Sequence, residues 1–226
     1  MSRESTTEAY LAAEIIQADK EHASRSHRLV FALAGIPGSG KSTIAGKVEQ
    51  LVEEALGPGT MVIVGMDGYH LTKAALTKMP NPHEALARRG APWTFDADGF
   101  VQLVHQVQTS FLDDPISFST FDHAIADPDP HGGCIQPGVR IVLFEGLYLA
   151  LDTPPWVHLN HFTARWFLDC PLSIAMHRLI HRHITAGLSK DENEARARIQ
   201  SNDALNAQFI LDHLIPTVTH LPFSHS

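Results

Sequence analysis

The sequence predicts an α/β fold: a parallel sheet flanked by helices on both faces. Three observations predict it. Short apolar runs without alternation recur along the chain, as they do in strands buried on both sides. Stretches with apolar residues at helical spacing separate several of these runs. The first run ends in a glycine-rich turn, at the strand end where such sheets hold their ligands.

The elements follow in order. From Ser5 to about His22, residues Tyr10, Leu11, Ile15 and Ala18 share one face and predict a leading helix within residues 1–27. Arg28 to Ala34 is the first buried strand, Met61 to Met66 the second, Arg140 to Glu145 the third and Ala164 to Asp169 the fourth. Thr217 to Leu221 is a weak fifth. After Asp96, residues Phe100, Leu103, Val104, Val107 and Phe111 repeat at steps of three and four, which predicts a helix. Ile116 to Phe121 alternates with period two. Another helix begins near Pro171, suited to a first turn, and ends before Gly187, suited to a left-handed cap. Ser189 and Glu192 stand at a capping-box spacing and open a last helix that continues through Arg198, Asn202 and Asn206. No repeat or low-complexity tract interrupts the chain, so residues 1–226 read as one domain.

Composition narrows the function. The 226 residues carry 17 Lys+Arg against 25 Asp+Glu, a formal charge of -8, so no general basic field exists to hold a nucleic acid. An anionic ligand must then be caught by a local device. Cys134 and Cys170 are the two cysteines and form no CxxC pair, which excludes a disulfide framework and a thiolate zinc cluster. The N-terminal residues lack the apolar core of a secretory signal. The longest apolar runs fall short of the ~18 residues of a membrane span. A soluble cytoplasmic protein without a membrane partner is expected.

Gly35-Ile36-Pro37-Gly38-Ser39-Gly40-Lys41-Ser42 fits the pattern G-x-x-x-x-G-K-[ST] (Walker A), between a predicted strand and a predicted helix. Glycines there let successive backbone N–H groups turn inward around a phosphate, and the helix that follows adds its partial positive end. The candidates for nucleotide binding are Gly35, Gly38, Ser39, Gly40, Lys41, Ser42 and Thr43. Lys41 suits the bridge between β- and γ-phosphates, and the Ser42 hydroxyl suits Mg²⁺, which takes oxygen ligands.

Directly after the second strand stands Asp67-Gly68-Tyr69-His70-Leu71. A carboxylate at that strand end, beside the phosphate loop, can orient an attacking hydroxyl and accept its proton; the other reading of Asp67 is a turn residue before Gly68. At this point GIPGSGKST, MDGYHL, RRGAPWTFD, FDHAIADP, VLFEGLYL and a late arginine pair can be taken together. The chain resembles the P-loop kinase superfamily of uridine kinase, phosphoribulokinase and bacterial-type pantothenate kinase over Leu29 to about Asn206.

That resemblance implies a P-loop NTPase fold with a helical lid in residues 171–206, and ATP-dependent phosphorylation of a hydroxyl on a small metabolite. Asp67 falls at the position of the catalytic base. Glu145 ends the third strand in an EG pair, where such kinases keep the acid that holds Mg²⁺; the alternative is a solvated strand-end acid. Arg178 and Arg182, four apart on one helical face, match arginines that close over the phosphates, or else form a solvated basic face. The same resemblance points to the 88–96 segment and His123 near the acceptor, which makes Tyr69, His70, Arg89, Phe95 and His123 candidate substrate residues. The other readings are a helix cap for Asp96, packed turn aromatics for Tyr69 and His70, and an incidental histidine for His123. Among His177, His181 and His183, the His177/His181 spacing would suit a metal, but no cysteine or third ligand is arranged nearby and neighbouring arginines repel a cation.

The expectation is a metabolite kinase that uses ATP and Mg²⁺, with a nucleotide-binding module or regulatory pseudokinase as the alternative. GYHL after Asp67 lies nearer to the DGF pattern of pantothenate kinases than to the DSFY pattern of uridine kinases, and RRGAPWTFD matches neither closely. A less-characterised nucleoside/nucleotide-kinase-like branch is implied, with a nucleoside, pantothenate or a sugar as acceptor. The resembling kinases often form homodimers, so the partner expectation is a second copy and a small hydroxylated substrate.

Overall fold

The computed structural model describes residues 6–22, 26–122 and 125–223. The chain opens with α1 (Thr7–Glu21), β1 (Leu29–Gly35), α2 (Lys41–Leu56) and β2 (Met61–Gly65). A single 3₁₀ turn, Met66–Tyr69, leads to short helices α3 (Lys73–Leu76) and α4 (Pro82–Ala87), then α5 (Ala97–Thr109). The antiparallel pair β3 (Ile116–Asp122) and β4 (Asp127–Ile135) precedes β5 (Ile141–Gly146) and β6 (Ala164–Asp169). Helices α6 (Leu172–Thr185), α7 (Glu192–Ser201) and α8 (Asp203–Asp212) follow, and β7 (Thr219–Pro222) ends the described chain.

Five strands form one parallel sheet in the order β2-β5-β1-β6-β7. All seven residues of β1 are buried, which explains why its sequence is apolar without alternation. Val30, Ala32 and Ala34 face one core layer with Phe100, Phe144 and Trp156. Leu29, Phe31 and Leu33 face the other, with Leu11 and Ile15 of α1, Val48 of α2 and Trp166, whose ring stacks on Phe31 at 5.4 Å. Burying such a side chain contributes about 1.5–3 kcal/mol. Asp19 of α1 accepts two hydrogen bonds from Arg140, from Nε and Nη2, both at 3.0 Å, and ties the leading helix to the start of β5.

The predicted strands begin and end within two residues of the sequence reading, and the helices differ from it more. Phe111 lies beyond α5, which stops where Ser110 turns extended (φ -76°, ψ 151°), and its ring is exposed. Tyr10 is exposed, and Ala12 joins Leu11 and Ile15 on the packed face of α1. Asp191, not Ser189, caps α7, accepting from Glu194 N at 2.9 Å while Glu194 reaches back to Lys190 N. The last helix also breaks in two at Asn202 (φ -137°, ψ -71°). Asp96 does cap α5, accepting from Gly99 N at 3.1 Å. Strand β4 had no sequence signal: DPDPHGGCI holds two prolines and two glycines, and Ile135 alone in it is buried. Among the described residues no helix is long and apolar enough to cross a membrane.

Candidate active site

Strands β1, β5 and β2 deliver the central groups to one edge of the sheet. In the register, Leu33 pairs with Glu145 on one side and Glu145 pairs with Gly65 on the other, so Asp67 follows two residues beyond Glu145's partner. The loop after β1 folds into the start of α2 through Gly40, whose left-handed φ of 96° serves as the N-cap. Lys41 Nζ, 7% exposed with its residue, donates to Ile36 O at 3.2 Å and lies 3.9 Å from Glu145 Oε1. Ser42 Oγ donates to Glu145 Oε2 at 3.1 Å. Burial lowers the Lys41 pKa and raises that of Glu145, each group opposing the shift of the other, and Asp67 acts electrostatically on both. Ser39 Oγ is buried with no hydrogen-bond partner among the described residues.

Helix α6 rests directly on this loop. Arg178 Nη1 donates to Ser39 O at 3.1 Å, and the guanidinium stacks over Phe223 at 5.0 Å. A Cβ at Gly38 would stand 2.4 Å from Ala175 O, so only a bare α-carbon allows the helix this close, and φ there is 77°. Arg182 is near enough to lower the pKa of both Lys41 and Glu145. Beside the loop a cavity of about 170 Å³ is lined by Ser39, Gly40, Thr43, Lys47, Arg178 and Phe223. A larger groove, about 500 Å³, lies on α5 beside His105 and His158, and no candidate residue lines it.

The side that carries Asp67 is assembled differently. The Met66–Tyr69 turn carries Asp67, whose side chain is half exposed, and the β3–β4 hairpin lies across it. A Cβ on Gly68 would meet Ser119 O at 1.9 Å, so glycine here is a condition of that contact. His70 Nδ1 lies 2.8 Å from Asp67 O, and its ring packs on Phe95 at 4.0 Å and Phe121 at 5.1 Å. Burial lowers the His70 pKa, with Asp67 opposing. Tyr69 packs edge-on against Phe100, and Phe95, 5% exposed, packs against Tyr148 and Trp156. Arg89 gives its guanidinium to the protein: Nη1 to Ala126 O at 2.6 Å, Nη2 to Leu71 O at 3.0 Å and to Asp127 Oδ1 at 2.6 Å. It fastens the hairpin to the turn. His123 lies outside the described residues.

The sequence reading included Arg88 in the segment 88–96 without a role of its own, and gave none to Tyr148 or Asp127. A tyrosine inside the apolar run LFEGLYLAL is the one available signal, because a buried phenol requires a partner. Its Oη donates to Gly90 O at 2.5 Å.

No family model matches the chain. It is 39% identical over 189 residues to a Schizosaccharomyces pombe protein named "Putative uridine kinase C227.14", a span covering 83% of this chain and 80% of that one. The chain belongs to the uridine kinase-like family of P-loop kinases. Two crystal structures share the kinase fold. One, from Silicibacter sp. TM1040, is described as a "putative fructose transport system kinase" (TM-score 0.80, 31% identity, 94% of this chain and 98% of that one). The other is YFH7 from Saccharomyces cerevisiae (TM-score 0.86, 25% identity, 97% and 100%). The P-loop kinase fold expected from the sequence, with its parallel sheet between helices, is the fold observed.

Proposed function

We propose that the chain is an ATP-dependent kinase that moves the γ-phosphate of ATP to a hydroxyl group of a small metabolite. The observation that carries this reading is a convergence. Lys41, Ser42 and Glu145 meet within 4 Å at the sheet edge, with a half-exposed carboxylate, Asp67, on the adjoining strand end. The family supports phosphoryl transfer; the names of the relatives support nucleosides and sugars as the acceptors to test first.

The residues fit Mg²⁺. Ser42 Oγ and Glu145 are hard oxygen donors 3.1 Å apart, and a carboxylate whose burial raises its pKa gains from a cation beside it. Ser42 would hold the ion directly and Glu145 would hold it or its waters. When bound, Mg²⁺ neutralises charge on the phosphate oxygens.

The chain's own groups do the rest. Loop amides and the unpartnered Ser39 hydroxyl receive the phosphates, and the Lys41 ammonium lies against their negative charge. Asp67 orients the acceptor hydroxyl and takes its proton as the new O–P bond forms and the bond from phosphorus to ADP breaks. Arg178 and Arg182, held over the loop by α6, stabilise charge on the transferred group and exclude water.

ADP release is the test, measured with MgATP alone and with a panel of nucleosides, pantothenate and sugars. Stimulation by one hydroxylated compound is expected, with a matching phosphorylated product by mass spectrometry. MgATP affinity without turnover across the panel would instead favour a nucleotide-binding module.

A further inference from the structure

The stripe Arg198, Asn202 and Asn206 takes no part in the chemistry above, and the structure divides it. Arg198 is exposed, whereas Asn202 and Asn206 are 7% and 2% exposed. The break between α7 and α8 brings both amides against the segment 88–90. Asn202 Nδ2 donates to Arg89 O at 2.8 Å. Arg88 Nη2 donates to Asn206 Oδ1 and Nη1 to Ser201 O, both at 3.0 Å. Asn206 Nδ2 donates to Asn202 Oδ1 at 3.3 Å, closing a network that is buried at the two asparagines and opens toward solvent at Arg88.

This network has chemistry at both ends. Toward Asp67, Gly90 N donates to Thr94 Oγ1 at 2.9 Å and Leu71 N to Thr94 O at 2.9 Å. Asp96 N donates to Tyr69 O at 2.7 Å, and His70 pairs with Phe95 as an isolated bridge. The segment 88–96 is therefore the backing of the turn that carries Asp67. Toward the phosphates, His183 Nε2 of α6 stands 3.5 Å from Asp203 Oδ2, one residue past the break. Helix α6 also carries Arg178 and Arg182.

We propose that Asn202 and Asn206 are positioning residues that set the segment 88–96, and Asp67 through it, at a fixed place relative to the helix bearing Arg178 and Arg182. The proposal rests on the kinase reading. Asparagine suits the task because one side chain offers a donor and an acceptor together. A reacting group displaced by about 1 Å can lose about 100-fold in rate.

The test compares wild type, Asn206→Ala, Asn206→Asp and Arg88→Lys. With the acceptor found by the ADP-release panel, Asn206→Ala should lose about 10- to 100-fold in kcat/KM for acceptor. Its ATP affinity by calorimetry should stay within about twofold. Asn206→Asp keeps an oxygen for Arg88 but loses the donor to Asn202 Oδ1 and should recover part of the loss; Arg88→Lys, with one donor site in place of a fork, should lose an intermediate amount. Amide hydrogen exchange of the unliganded protein reads the same idea without turnover: Leu71 and Asp96 amides should exchange faster in Asn206→Ala, with the amides of 39–41 unchanged. Equal loss of ATP and acceptor affinity, or unchanged exchange at Leu71 and Asp96, overturns the proposal. A wild type that binds MgATP but turns over no acceptor sinks the kinase reading instead, and the exchange experiment still decides the positioning claim.

Discussion

The two ends of the site are built on different principles. At the phosphate end, eight consecutive residues supply a turn of backbone amides, a lysine and a hydroxyl, and the neighbouring strand adds Glu145 in register. At the acceptor end, the turn 66–69, the segment 88–96, the β3–β4 hairpin and the α7–α8 break come from separate parts of the chain. Side-chain hydrogen bonds and ring contacts join them. A local motif tolerates much change around it, whereas a long-range assembly depends on each tie. The proposed phosphoryl transfer requires that the second stay as exact in position as the first.

The contrast is tested hardest at Asp67. Asp67→Asn should leave MgATP affinity by calorimetry within about twofold and lower turnover by about 10²- to 10⁴-fold, the usual share of a general base. A variant that turns over normally would remove Asp67 from the proton-accepting role and leave the acceptor end without a base. A smaller effect is expected at Glu145. Glu145→Gln should raise the Mg²⁺ concentration for half-maximal rate about tenfold, as loss of a group supporting a metal does, while acceptor KM at saturating Mg²⁺ is kept. An acceptor KM that moved with it would blur the division between the two ends.

The smallest effect concerns stability. Burial holds the His70 pKa below its ordinary value, so as pH falls the unfolded chain takes the proton first. This residue's contribution is intact above about pH 6.5 and is lost as pH drops from there through the lower folded pKa. Between pH 7.5 and 5.5, urea denaturation should therefore show a shallower loss for His70→Gln than for wild type. The difference cannot exceed about 1.4 kcal/mol per pH unit. Parallel curves would show that the ring packed on Phe95 takes up a proton as readily folded as unfolded.

What the sequence could and could not tell follows the same division. The sheet was legible because full burial on both faces leaves unbroken apolar runs at β1 and β5. The loop was legible because its amides need glycine at fixed spacing. Strand β4 was not, since its pairing with β3 relies on backbone and tolerates DPDPHGGCI. Arg89 and Phe95, which the resemblance implies are near the acceptor, lie beside the turn that carries Asp67, and their contacts are with the protein itself. Composition cannot distinguish an arginine that meets a ligand from one that fastens Asp127. The stripe Arg198, Asn202 and Asn206 looked continuous because steps of four assume an unbroken helix, and the break at Asn202 is what gives two of its members work.

The β3–β4 hairpin forms its own two-stranded sheet and shares no strand pairing with the five-stranded one among the described residues. It is attached by Ile116, Phe118 and Ile135 in the main core, by Arg89 and Lys73 N at Asp127, and by a bare α-carbon at Gly68 under Ser119. Its sequence can therefore vary most at the exposed positions between these anchors. A graft that preserves a carboxylate opposite Arg89 and leaves position 68 as glycine should alter which alcohol is chosen, with the nucleotide-handling half of the molecule carried over intact.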